Sequence, residues 1–292
     1  MRNIADGVKL VIGENDGRPP YCNGLFIDDD IKILVDTGSG REPLEKLLEQ
    51  VGHVDVVINS HYHLDHIAHN SLFKESEFWA HEYDAPALRS KEDFCRFVGI
   101  DDKFWTELLK AFPVPDDLYS TEVDKVLTDG QWINTGRMQW QVVHLPGHTP
   151  GHIGLYQPER GILFTGDIDL SSFGPWYGNK SSDIQQFLQS IERVKQFQPN
   201  TVVTSHGKVV TEKIEFALDR YAGVVFEREQ KITNALKERP MSLAELVPKC
   251  IIHPHQSKQA HEFFEGMMLE KHLGQLLEQD RVECSGGLYH VK

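Results

Sequence analysis

Apolar positions fall into two rhythms along the chain, and the change between them marks its organisation. Up to about residue 210 they come mostly as short runs or alternations, the period of strands. Residues 8–13, 21–28 and 31–36 read as strands, the last two joined through Asp28-Asp29-Asp30 as a hairpin. Residues 43–50 form a helix with Leu44, Leu47 and Leu48 on one face. A buried strand at 54–58, a helix at 65–73 and a strand at 77–80 follow. From about 84 to 118 the pattern changes. There 102–112 is amphipathic, with Phe104, Leu108, Leu109 and Phe112 on one side, and Pro113 and Pro115 break it. This is an insertion, either docked by its apolar face or poised as a lid. Strands return at 123–127, 131–134, 138–145, 152–157, 161–165 and 201–203, and the alternation through Met138-Gln139-Trp140-Gln141-Val142 predicts a sheet with one buried face. Between the last two, Ser182 opens a helix to Phe197 with Gln185 completing a capping box. Beyond 210 the period is helical: 211–238, a short helix at 242–247 and another long one at 258–279, then strand, Ser285-Gly286-Gly287 turn and strand.

The 292 residues, 40% apolar and 25% charged, suit one large globular domain, 1–210, and a small one, 211–292. A formal charge of −14 speaks against nonspecific binding to nucleic acid or anionic membranes, since phosphates are held by Lys and Arg. Residues 211–292 carry 11 basic and 13 acidic residues, with Glu262, Glu265, Glu270 and Glu278 along the third helix. A helix that reads DNA is more basic than this, so packing, dimerisation or closure of a cleft fits better. Cys22, Cys95, Cys250 and Cys284 form no CxxC pair. The start of the chain lacks a long apolar signal region, and no run reaches membrane-spanning length. A cytoplasmic protein with reduced thiols is expected.

Candidate chemistry gathers in Asn59-Ser60-His61-Tyr62-His63-Leu64-Asp65-His66, at the end of a buried strand. Residues i and i+2 of a strand point the same way, so His61 and His63 project together, with Asp65 and His66 one step later. Imidazole with carboxylate suits zinc, and imidazole also suits iron. Three other strand-then-turn stretches offer further ligands: Leu145-Pro146-Gly147-His148-Thr149-Pro150-Gly151-His152, Phe164-Thr165-Gly166-Asp167 and Thr204-Ser205-His206-Gly207. Aromatic residues in Phe173-Gly174-Pro175-Trp176-Tyr177-Gly178-Asn179 form a loop near the site, with Trp176 and Tyr177 as candidates for lining a substrate cleft.

Together the four stretches resemble the signature of the metallo-β-lactamase superfamily, His-x-His-x-Asp-His followed by His, Asp and His, over roughly the first 210 residues. The resemblance implies an α/β fold, an αββα sandwich with the site at the edge between two sheets. It implies that His61, His63 and His148 hold one ion, that Asp65, His66 and His206 hold a second, and that Asp167 bridges them. Asp36, at the end of the third strand, would support the ligands, whereas His69 is expected to lie outside the set. The cofactor implied is two divalent ions, zinc foremost, with iron or manganese as alternatives. The activity implied is hydrolysis of a thioester, ester or lactone by a hydroxide held between the ions, with Asp65 orienting it and carrying a proton. The Pro-Gly-His-Thr-Pro-Gly-His run resembles the glyoxalase II-like thioesterases. The helix, helix, helix, hairpin tail resembles a winged helix, as found in a lactamase-like group that includes an endoribonuclease. A phosphodiesterase or endoribonuclease, or a metal-containing regulatory protein, are therefore the alternatives. A small-molecule substrate is the expected partner, and a homodimer is compatible with the tail.

Overall fold

The computed structural model describes the chain except for Pro113, Asp116, Ser120, Thr121 and residues 254–258. Its first sheet grows from the parallel pairing of two apolar runs, β4 (Ile33–Val35) with β5 (Val56–Asn59). On one side β3 (Gly24–Ile27), β2 (Val8–Val11) and β1 (Arg2–Ala5) add as antiparallel neighbours, and on the other β6 (Glu77–His81) and β7 (Lys125–Leu127) add in parallel. The second sheet runs β12 (Thr201–Val203), β11 (Ile162–Phe164), β10 (Ile153–Gln157), β9 (Gln139–His144) and β8 (Trp132–Asn134). The expected hairpin through Asp28-Asp29-Asp30 is present, and β1 is a strand that the sequence pattern missed.

Strand alternation builds the layers. Leu25, Ile27, Val35 and Ile58 point inward and meet Trp140, Val142, Leu155 and Phe164 of the facing sheet. Their neighbours Phe26, Leu34 and Val57 point outward onto Leu44 and Leu47 of helix α1 (Arg41–Val51). Removing either leucine side chain would cost about 2–5 kcal/mol. On the opposite side Val143 and Leu163 face helices α6 (Ile184–Gln196), α7 (Ile214–Glu238) and α9 (Gln259–Glu278). The result is helix, sheet, sheet, helix, with the two sheets tied at one edge by the Ile153 amide donating to the Ser60 carbonyl at 2.9 Å.

Two expected helices differ in detail. The one expected at 65–73 is α2 (Leu64–Ile67) followed by a 3-10 turn, Asn70–Phe73, because His69 between them leaves helical geometry (φ −118°, ψ 26°). The cap of α6 is Asp183, whose carboxylate accepts the Gln186 amide at 2.8 Å. Ser182 does not cap, because its hydroxyl donates to the His148 carbonyl at 2.7 Å.

The insertion contributes α3 (Ala85–Arg89), α4 (Lys91–Val98) and α5 (Asp102–Ala111). Trp105 and Leu108 of α5 are buried with Tyr62, Leu64 and Phe94, so this helix is docked. Phe104 instead meets α9, its ring centroid 4.3 Å from that of Phe263 and 5.9 Å from that of Phe264. The break expected at Pro113 and the α9 start expected at Lys258 lie outside the described residues. After α7 come α8 (Leu243–Leu246), α9 and the hairpin β13 (Val282–Ser285) with β14 (Leu288–Val291), and Met241 bridges to Tyr289. Glu265, named from sequence among the acidic residues along the third helix, is fully buried and accepts the amides of Ile252 and His253 at 3.1 and 2.8 Å.

Candidate metal centre

Five candidate ligands stand in turns that follow strands, where the chain leaves the sheets at their shared edge, and Asp65 and His66 lie in α2 just after β5. His61 and His63 follow β5, His148 lies between β9 and β10, Asp167 follows β11 and His206 follows β12. The turns pack closely. A side chain at Gly38 would collide with the Asp65 carbonyl, its Cβ only 1.5 Å away, so only glycine lets the two loops meet.

The ligand atoms form two groups. In the first, His61 Nε2, His63 Nδ1 and His148 Nε2 lie 2.9–3.2 Å apart, and Asp167 Oδ2 is 3.1 Å from His148 Nε2 and 3.8 Å from His61 Nε2. In the second, His66 Nε2 is 3.2 Å from His206 Nε2, and Asp65 Oδ2 is 3.4 Å from His206 Nε2. Asp167 Oδ1 faces this second group, 3.1 Å from His66 Nε2 and 3.4 Å from His206 Nε2. One carboxylate thus turns one oxygen to each group.

The opposite ring nitrogens are anchored. His66 Nδ1 donates to Asp36 Oδ2 at 2.8 Å. His61 Nδ1 lies 3.0 Å from the Ser60 hydroxyl, which donates to the same Asp36 oxygen at 2.7 Å. His206 Nδ1 donates to the Gly17 carbonyl at 2.7 Å, and His148 Nδ1 to the Trp176 carbonyl at 2.8 Å. A neutral imidazole has one proton. With that proton on the anchored nitrogen, the inward nitrogen carries a lone pair, and lone pairs and carboxylate oxygens converge on two points.

Such convergence calls for cations. Asp167 Oδ1 is buried without a hydrogen-bond partner. Ligand atoms around a tetrahedral ion with bonds of about 2.0–2.1 Å stand ~3.3–3.4 Å apart, close to the spacing here. The electrostatics agree. Burial, and then neighbouring imidazoles, push His61 and His63 well below the usual histidine range. Burial works against a charge on His206 too, yet the negative charges of Asp167 and then Asp65 raise its pKa to about 9. Burial also disfavours the Asp167 charge, but the surrounding imidazoles hold this carboxyl well below the usual range. The pocket draws in positive charge, as protons when nothing else supplies it. In a third cluster, Cys22 with Asp36 and His66, burial pushes the thiol up to about 12, and Asp36 and His66 already bond each other.

Residues 17–206 match the metallo-beta-lactamase superfamily. The chain belongs to that superfamily. It is a metallo-hydrolase with a His/Asp cluster suited to divalent metal. It is 24% identical over 248 residues to a probable metallo-hydrolase of Bacillus subtilis, covering 74% of this chain and 76% of that one. It is 28% identical over 198 residues to the hydroxyacylglutathione hydrolase GloC of Haemophilus influenzae, covering 65% of this chain and 86% of that one. A metallo-beta-lactamase family protein from Thermus thermophilus has the same fold, with TM-score 0.77 at 20% identity over 99% of this chain and all of the other.

The remaining candidates of this superfamily site divide. His69 is half-buried and donates from Nδ1 to the Thr37 carbonyl at 3.2 Å, outside both groups. Trp176 is partly exposed, its ring centroid 5.4 Å from His63 and 5.7 Å from His148. Tyr177, expected beside it at the cleft, is instead fully buried. Its hydroxyl donates to His272 Nε2 at 2.6 Å and accepts from Arg228 Nη1 at 3.0 Å, and these partners hold it inside. Sequence reading missed three supporting groups. His152 is buried, donates to the Leu145 carbonyl at 2.9 Å, and accepts the Asp167 amide at 3.1 Å, which holds Asp167 in place. Its presence in the Pro-Gly-His-Thr-Pro-Gly-His run was the available signal. Asp84 accepts from Thr149 and Gly151, both at 2.6 Å, and so ties down the His148 turn. Asn179 lies against His63. Neither Asp84 nor Asn179 stands in a motif.

Proposed function

We propose that the protein is a dinuclear metal hydrolase acting on thioesters, with esters and lactones as related substrates. The observation that carries this reading is Asp167, whose two oxygens are divided between the two ligand groups. His61, His63 and His148 would hold one ion and Asp65, His66 and His206 the other. Zinc suits the imidazole-carboxylate set best, with iron or manganese as alternatives. When bound, such a pair supplies an acidified water as nucleophile and polarises the scissile carbonyl. Asp65 accepts the proton released as water oxygen attacks the carbonyl carbon. As the carbon–sulfur bond breaks, the same carboxyl returns that proton to the departing sulfur. Trp176 stands where the acyl group would rest beside His63 and His148.

Similarity to a hydroxyacylglutathione hydrolase supports a thioester, since an acyl group on glutathione sits on sulfur. A cytoplasmic location agrees with four unpaired cysteines. Among the described residues no helix is long and apolar enough to cross a membrane. In this reading 211–292 is a small winged-helix-like unit, the Met241–Tyr289 bridge serving as its third strand.

The test is a hydrolase panel of acyl-coenzyme A, acyl-glutathione, aryl esters, lactones and phosphodiesters, run beside metal analysis. About two ions per chain and preferred thioester turnover are expected. Fully metallated Asp65→Asn should lose at least ~10-fold in kcat, because an amide cannot accept the proton. A metal content near zero after supplementation, or faster phosphodiester than thioester hydrolysis, would overturn the proposal.

A further inference from the structure

We infer that Arg228 is a positioning residue for the first metal site: through the 173–179 loop it fixes the acceptors that hold His148 and His63. The inference rests on the dinuclear reading above and concerns how this chain holds one of the two ligand groups.

Arg228 stands on α7, outside the superfamily match, and is 2% exposed. Its Nη1 donates to the Pro175 carbonyl at 2.5 Å and the Tyr177 hydroxyl at 3.0 Å, and its Nη2 donates to the Phe173 carbonyl at 2.5 Å. The guanidinium also lies over the Phe173 ring, 4.7 Å from its centroid. These acceptors are all neutral. Burying a guanidinium against neutral oxygens is costly, and an apolar side chain would pack the helix without that cost. What only arginine offers is a rigid planar fork of five donors. Here the fork grips three points of one loop.

That loop serves the first ligand group. Between Pro175 and Tyr177, two of the three points held by Arg228, the Trp176 carbonyl accepts from His148 Nδ1 at 2.8 Å, which leaves Nε2 free to face the cluster. Two residues after Tyr177, the Asn179 side-chain amide lies 2.5 Å from His63 Nε2 and 2.9 Å from the Tyr62 hydroxyl. The atom facing both is Asn179 Nδ2; because His63 faces the cluster with Nδ1, ligation would put its proton on Nε2, and the amide would then turn Oδ1 inward to accept it. Helix α9 braces the same stretch: His272 accepts from Tyr177, and Lys271 Nζ donates to the Ser182 carbonyl at 2.6 Å. The second ligand group is anchored elsewhere, through Asp36 and the Gly17 carbonyl in the N-terminal half. Arg228 therefore addresses one group of the two.

The test uses full-length protein loaded with zinc or cobalt. Competition with a chromogenic chelator reads the two affinities separately, and the cobalt visible spectrum reads ligand geometry. Supporting groups of this kind are worth about 10–100-fold in metal affinity. Arg228→Met should weaken one ion by that factor and leave the other within about twofold. Arg228→Lys, which keeps the charge on one compact ammonium but loses the planar fork, should fall between. If Arg228→Met does not fold, Tyr177→Phe, which deletes one of the three grips, should weaken the same ion several-fold and shift the cobalt bands. Unchanged affinities and spectra in the folded variants, or equal weakening of both ions, would overturn the inference while two ions in the wild type leave the dinuclear reading intact. Fewer than two ions in the wild type would overturn both.

Discussion

At the scale of single residues, the centre depends on side chains that serve two neighbours at once. Asp167 presents one oxygen to each ligand group, and Asp36 anchors His66 directly and His61 through Ser60. Their loss should be felt by both groups. Asp167→Ala is expected to strip both ions and lower activity by more than the ~100-fold typical of outer partners. His69 bonds a backbone carbonyl away from the cluster, so His69→Ala should leave metal content within about 10% of wild type, roughly the precision of such assays. Elemental analysis of the two variants side by side decides this, and equal losses would remove the ligand assignment.

The elements carrying these residues were largely legible in sequence, for a local reason. His61, His148, Asp167 and His206 each follow an apolar run by a few residues, and a strand that must end in a turn delivers its polar residues to the sheet edge. What was not legible depended on distant partners. Ser182 looked like a helix cap, but the His148 carbonyl, far off in sequence, takes its hydroxyl. Tyr177 looked like a cleft residue beside Trp176, but His272 and Arg228 from two later helices draw it inside. That buried contact has a pH signature. Burial first, and then the charge of Arg228, push His272 down to about 3, so the native protein keeps it neutral where an unfolded chain would protonate it. As pH falls below the ordinary histidine value near 6.5, the unfolded state gains protons that the native state refuses, and stability declines toward pH 3. His272→Gln keeps an acceptor for Tyr177 and removes the titration. Its melting temperature should fall less steeply with acid than that of wild type, by an amount on the order of a few kcal/mol at most. Parallel melting profiles between pH 7 and 4 would show that His272 does not contribute.

For the whole molecule, charge and packing point the same way. A net −14, with acidic residues exceeding basic ones in 211–292 as well, leaves little to hold a phosphate backbone. Anisotropy measurements at physiological salt should show no duplex binding below about 1 μM, and tight, salt-sensitive binding would reverse this view. The C-terminal helices are instead committed to the fold. Residues of α7 and α9 share one core with α6 and the outer face of the second sheet.

The grip of Arg228, His272 and Lys271 on the 173–182 stretch also has a thermodynamic converse. If those helices raise the affinity of the first site, linkage requires that an ion in that site tighten the helices by the same factor. A tenfold effect corresponds to about 1.4 kcal/mol. Amides of α7 and α9, many residues from any ligand, should therefore exchange with deuterium faster once a chelator has stripped the protein, and slow again when metal returns. The chain beyond residue 210 would then report, from a distance, whether the metal centre is filled.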